Sequence, residues 1–96
     1  MGVGMTVSID ARGLLIEGVC EGIANGSLEL GAAVRRLRVE VAKMQQTQFA
    51  RMCKISVRTL IQIEQGGGNP TLNSLNAVFK PFGLQMGVVR RASLIR

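Results

Sequence analysis

Histidine is absent from this chain of 96 residues, its two cysteines stand far apart, and it holds only six carboxylates. Cys20 and Cys53 lack metal-ligand spacing, so no metal site and no cofactor is expected. The carboxylates are scattered and no nucleophile sits beside a base. Nothing therefore assembles a general acid with a general base, and an enzyme is not expected. No run of about 18 apolar residues occurs, which argues against a helical membrane span. The N-terminus also lacks the basic-then-apolar layout of a secretory signal, so a cytoplasmic location is expected. In a reducing compartment the two thiols are expected to be buried and free rather than bridged. The glycosylation acceptor pattern Asn25-Gly26-Ser27 would then go unused.

What the chain does have is positive charge, a net +6, unevenly spread. Residues 1–33 set Arg12 against Asp10, Glu17, Glu21 and Glu29, a balance of −3. Residues 34–58 set Arg35, Arg36, Arg38, Lys43, Arg51, Lys54 and Arg58 against Glu40 alone, a balance of +6. From Thr59 on, Lys80, Arg90, Arg91 and Arg96 face Glu64, giving +3. A short basic block is often only a solvated helix face. The length allows one domain, in which a helical core of roughly 55 residues buries about 60% of its unfolded surface and is marginal without help.

Apolar spacing predicts helices and one strand. Val7 and Ile9 alternate weakly, and Ala11 to Ala24 repeats Leu15, Val19 and Ile23 at helical spacing. Asn25-Gly26 ends that helix and Ser27 is placed to start the next. Leu30, Val34, Leu37 and Val41 mark a scaffold helix running to about Lys43, with Arg35, Arg38 and Lys43 opposite. Gly66-Gly67-Gly68 is a break that follows a helix, so it is no phosphate cradle. Thr71 caps a helix whose Leu72, Leu75, Val78 and Phe79 share one side, and Pro81 and Gly83 stop it. Leu84 to Arg90 is strand-like, with Leu84, Met86, Val88 and Val89 as its apolar residues. A lone strand cannot satisfy its backbone, so the same segment of a second subunit is the expected partner, with Val7 and Ile9 as the competing one.

Between these lies Gln46 to Gln65, QTQFARMCKISVRTLIQIEQ, which reads as two short helices crossed by a tight turn. Phe49, Ile55, Leu60 and Ile63 are its apolar plugs. Ala50 is the small residue that lets the second helix approach the first, and Ser56 caps that second helix. The leftover face is Val57, Arg58, Ile61, Gln62 and Gln65. It suits a DNA major groove, where Arg and Gln bond base edges and aliphatic groups meet a thymine methyl. With this motif present, the basic block reads as phosphate contact.

Residues 30 to about 83 resemble the Xre/Cro family of helix-turn-helix regulators, on the pattern around Gln46, Ala50, Ser56, Thr59, Leu60 and Glu64 and the trailing Gly67 to Leu72. With the C-terminal strand added, the nearest resemblance is to HipB-like antitoxins, which repress their own operon and hold a HipA-type kinase toxin. The implied fold is mainly α, a lambda-repressor-like helix-turn-helix bundle with a short C-terminal β-strand forming an intersubunit ribbon. The expected organisation is an N-terminal extension with one helix at 1–28, the DNA-binding domain at 29–83, and a dimerising strand with a basic tail at 84–96.

The resemblance also implies roles. Val57, Arg58, Ile61 and Gln62 match base-reading positions, and Gln46 matches a phosphate-contacting glutamine that braces the recognition helix. Lys43, Arg51, Lys54 and Ser56 join Gln46 at the phosphates. Arg38 and Glu64 match a buried ion pair tying the scaffold to the recognition helix; two surface charges are the alternative. Thr59, Leu60 and Ile63 are core. Two departures stand out. Lys54 occupies a turn position where the family usually has glycine, at a cost of about 1 kcal/mol for a left-handed backbone. The link from Ala42 to Gln45 is one residue longer than usual, which leaves Arg36 or Arg35 as alternatives to Arg38.

The implied partners are double-stranded DNA, a second copy of the chain and a HipA-type kinase toxin, with no membrane; the location would be nucleoid-associated. A free-standing regulator without a toxin, or a chiefly protein-binding antitoxin, remains an alternative. The stripe of Leu15, Val19 and Ile23 is read as packing on the core or across the dimer, with toxin contact a lesser reading.

Overall fold

The computed structural model describes residues 3–90, and among them the secondary structure is entirely helical. Helix α1 spans Val3–Ala24, α2 Leu30–Arg36, α3 Gln46–Cys53, α4 Val57–Gln65 and α5 Leu72–Phe79. Helix α1 begins earlier than the apolar repeat of Ala11 to Ala24 predicts. It takes in Val7 and Ile9, whose weak alternation had suggested a strand. A continuous helix satisfies every interior N–H within its own segment, whereas a strand there would need a partner. The chain leaves α1 through Gly26, at φ 82.

The inward side of α1 is set by Val19, 1% exposed, with Ile16 and Ile23 partly buried beside it. Leu15, expected in that stripe, is 39% exposed instead. Spacings of three and four from Val19 put Ile16 and Ile23 on its face; Leu15 shares that spacing but falls on the solvent edge. Glu29 rather than Ser27 stands at the head of α2, and its side chain makes no capping hydrogen bond. Ser27 serves the corner before it: its N–H bonds Asn25 Oδ1 at 2.8 Å and its hydroxyl reaches the Gly22 carbonyl at 3.5 Å.

The predicted scaffold helix is two pieces. After Arg36 the turns widen into a π-helical stretch, Leu37–Ala42, closed by Lys43 in the left-handed region at φ 55. Both the Lys43 and Met44 N–H groups reach back to the Arg38 carbonyl. A wider turn holds one more residue per revolution, and such turns are rare in helices and frequent at functional sites.

Phe49, Leu37 and Leu60, each 0% exposed, form the centre of the core with Val34 and Val78. Phe49 stacks on Phe82, ring centroids 6.0 Å apart and planes at 29°. Phe82 is delivered by a single 3₁₀ turn, Lys80–Phe82, that Pro81 starts and Gly83 ends at φ 74. In α5, Leu75, Val78 and Phe79 are buried as expected, but Leu72 is 61% exposed because it opens the helix just beyond the Thr71 cap.

Residues 84–90 form no strand among the described residues. Leu84 and Met86 instead pack partly inward against the core, and Asn76 Oδ1 of α5 accepts the Met86 N–H at 2.7 Å. Val88 and Val89 are 99% and 82% exposed. Arg91 to Arg96, the predicted basic tail, lie outside the described residues. No helix among those described is long and apolar enough to cross a membrane.

Candidate nucleic-acid interface

Helix α4 has two unlike sides. Leu60 and Ile63 are buried, while Val57, Arg58, Gln62 and Gln65 are exposed and Ile61 is half-buried at the edge. One rotation of about 100° per residue separates these sets, so burying Leu60 and Ile63 forces the others outward. Ser56 holds the start of the helix. Its Oγ accepts the Thr59 N–H at 3.0 Å and its hydroxyl donates to Thr59 Oγ1 at 2.8 Å. Thr59, expected as core, is half-buried because it spends its hydroxyl on this cap.

The far end of α4 is tied to the scaffold. Arg38 Nε donates to Glu64 Oε2 at 2.6 Å and another guanidinium nitrogen donates to Oε1 at 3.0 Å. The Arg38 and Glu64 side chains are only 10% and 4% exposed. A third guanidinium hydrogen bond reaches the Met44 carbonyl at 2.9 Å, and Gln46 Nε2 donates to Glu64 Oε1 at 3.1 Å. No buried side-chain polar atom among the described residues is left without a partner. This completeness decides the sign of the interaction, because a half-satisfied buried charge is worse than none. Arg35 and Arg36 point outward, and Arg36 makes only a loose exposed contact with Glu40 at 3.9 Å.

Helix α3 stands between two left-handed lysines, Lys43 at φ 55 before it and Lys54 at φ 61 after it. Its first turn is braced by Gln48 Oε1, which accepts the Gln45 N–H at 3.4 Å. Lys43, Arg51, Lys54 and Ser56 are exposed, and Gln46 is half-buried against Glu64. The chain thus groups Arg38, Gln46 and Glu64 inside, and spreads the cations over the ends and outer side of α3. Leu84, Met86 and Val89 instead line a groove with Cys20 and Ile23 of α1 and Phe79 of α5, and Val88 is exposed.

Three contributors escaped the sequence reading. Gln45 and Gln48 form an N-terminal brace whose Gln-x-x-Gln spacing was there to see. The Met44 carbonyl, a backbone group, left no sequence signal. Gly31 is buried in α2 against the α4 backbone, and its trace was an isolated glycine inside a helical repeat.

Cys53 is buried in α3 and Cys20 half-buried in α1; both are free. Burial pushes the Cys53 thiol up to about 11. No group of three or more acidic or cysteine residues fit for a metal exists among the described residues. No curated protein and no solved structure matches this chain. Residues 34–89, more than half of it, match the helix-turn-helix family model, and the chain belongs to the Xre-type helix-turn-helix family of DNA-binding regulators.

Proposed function

We propose that this regulator is a homodimeric repressor that sets two α4 helices into successive major grooves of an inverted repeat, about 34 to 36 Å apart. The observation that carries the reading is the division of α4, whose inner side is locked by Leu60, Ile63 and Glu64 while Val57, Arg58, Ile61 and Gln62 are left to meet bases. Arg58 and Gln62 supply sequence choice through hydrogen bonds to base edges, and Val57 and Ile61 offer apolar contact to thymine methyls. Lys43, Arg51, Lys54, Gln46 and the Ser56 end of α4 supply phosphate contacts, which set affinity and register without reading sequence.

Dimerisation runs through residues 84–90. Val88 continues the alternation of Leu84 and Met86 yet is 99% exposed, the place where the same segment of a partner would add a strand. Leu84 and Met86 are engaged with their own core, so the ribbon is confined to its outer end. The resemblance to HipB-like chains makes a HipA-type kinase the second partner, and autoregulation the biological role. A chiefly protein-binding antitoxin is the competing reading. It is favoured by an apolar groove of about 330 Å³ between α1, Phe79 and residues 84–89.

Selection from a random DNA pool by the purified chain at two salt concentrations tests the DNA reading: an inverted repeat is expected to emerge. Arg58→Ala should then lose about 1 to 3 kcal/mol of discrimination at one base pair. Equal losses on operator and random DNA would remove Arg58 from the reading face. Copurification from the native host separates the alternatives: a stoichiometric kinase supports the antitoxin, a lone dimer with tight operator binding supports a free-standing repressor.

A further inference from the structure

Gly31 lies in the first turn of α2 and is buried. A Cβ built there would come within 2.7 Å of the Glu64 carbonyl oxygen and nearer still to that of Ile63. Both oxygens belong to the backbone of the last turn of α4, so neither can swing aside as the tip of a side chain can. Gly31 has an ordinary helical backbone, since its φ is not among the positive ones. Its conformation therefore does not call for glycine, and alanine would favour the helix by about 1 kcal/mol. What glycine provides is the close approach of the two backbones. The N–H end of α2 meets the carbonyl end of α4, an arrangement in which the two helix dipoles attract.

We infer that Gly31 is a positioning residue for sequence recognition, setting the tilt at which α4 presents Arg58 and Gln62. The inference rests on the DNA reading of α4 proposed above. The last turn of α4 is held by Arg38 and Gln46 through the Glu64 side chain, and by Gly31 through the backbone. The side-chain contacts fix where Glu64 is anchored. The backbone contact fixes how closely the helix axis lies on the scaffold. A methyl group at residue 31 lifts the carboxyl end of α4 and rotates its exposed face about the Ser56 end. Base contacts need their geometry within a fraction of an ångström, whereas phosphate contacts from flexible lysines follow a displaced surface.

The test compares Gly31→Ala with Gly22→Ala. Gly22 is also buried, but its Cβ would press on Leu28 Cβ at 2.8 Å, in the corner between α1 and α2, and not on α4. Both variants are expected to unfold at lower denaturant. Gly31→Ala should reduce the preference for the selected operator over random DNA by about tenfold or more, with binding to random DNA nearly unchanged. Gly22→Ala should leave that preference within about twofold. An undiminished preference in a folded Gly31→Ala protein, or an equal loss in both variants, overturns the assignment.

Native-state amide exchange on the unsubstituted chain gives a second readout independent of DNA and of whether Gly31→Ala folds. The hydrogen-bonded amides of α2, from Ala33 on, and those of the last turn of α4 should open as one unit; separate opening overturns the assignment. Should the unsubstituted chain select no DNA sequence, the reading of α4 fails and recognition by Gly31 fails with it. The exchange result then shows separately whether α2 and the end of α4 open together.

Discussion

Arg38 and Glu64 stand 26 residues apart in the chain and meet through two hydrogen bonds, at 2.6 and 3.0 Å, almost out of reach of water. Removing either partner leaves the other charged and buried. Arg38→Met and Glu64→Leu should each lower the unfolding free energy by about 3 to 5 kcal/mol, and the double variant should recover much of that loss. Urea unfolding of the three variants measures it. Additive losses in the double variant would show that the pair is not coupled.

Lys54 holds a left-handed backbone that suits glycine better. Lys54→Gly is expected to stabilise the fold by up to about 1 kcal/mol, because relief of strain outweighs the added freedom of the unfolded chain. The same change removes a cation from the proposed phosphate surface, so the salt dependence of DNA binding should flatten by about one counterion. Unfolding and binding isotherms at several salt concentrations check both. A gain in stability with an unchanged salt slope would place Lys54 off the DNA.

Ser56 caps α4 through its bond from the Thr59 N–H. Ser56→Ala should cost about 1 kcal/mol, and Ser56→Asp should retain most of the cap while placing a negative charge on the DNA-facing end. Thermal unfolding separates the first effect, and loss of DNA affinity without loss of stability in Ser56→Asp reveals the second.

Cys53 ionises at about 11 in the folded chain, against an ordinary value of 9.0, because burial disfavours the thiolate. The folded state therefore keeps this proton more tightly than the unfolded state does. The contribution is fully present below 9.0 and is lost as pH rises towards about 11. Cys53→Ala should show a flatter decline of stability than the unsubstituted chain between about pH 9 and about pH 11. Under native conditions an alkylating reagent should modify Cys20 well before Cys53.

Much of the helix pattern was open to inspection before any fold was known. Gln46 to Gln65 shows its plugs and its outward face in residue order alone, since a helix with two apolar positions three apart has one way to bury them. Ser56 and Thr71 announce caps because their hydroxyls bond the backbone locally. The edges of burial were less open. Leu15 and Ile16 are chemically alike and adjacent, and only the position of the neighbouring helix selects between them. Leu72 has the right spacing for the core but stands one turn too early to reach it. Residues 84–90 have a strand's composition, yet the bond to Asn76 and the core draw Leu84 and Met86 inward.

The order of residues by itself determined that this is a basic, helical chain with a two-helix motif and an Arg- and Gln-bearing face, because those properties rest on periodicity and on local backbone bonds. Which arginine turns inward, where the scaffold helix widens before Lys43, and why a glycine sits at 31 were decided by the tertiary structure. Each depends on a distance between segments far apart in the chain, where a carboxylate or a carbonyl is waiting, and local preference carries no record of that distance.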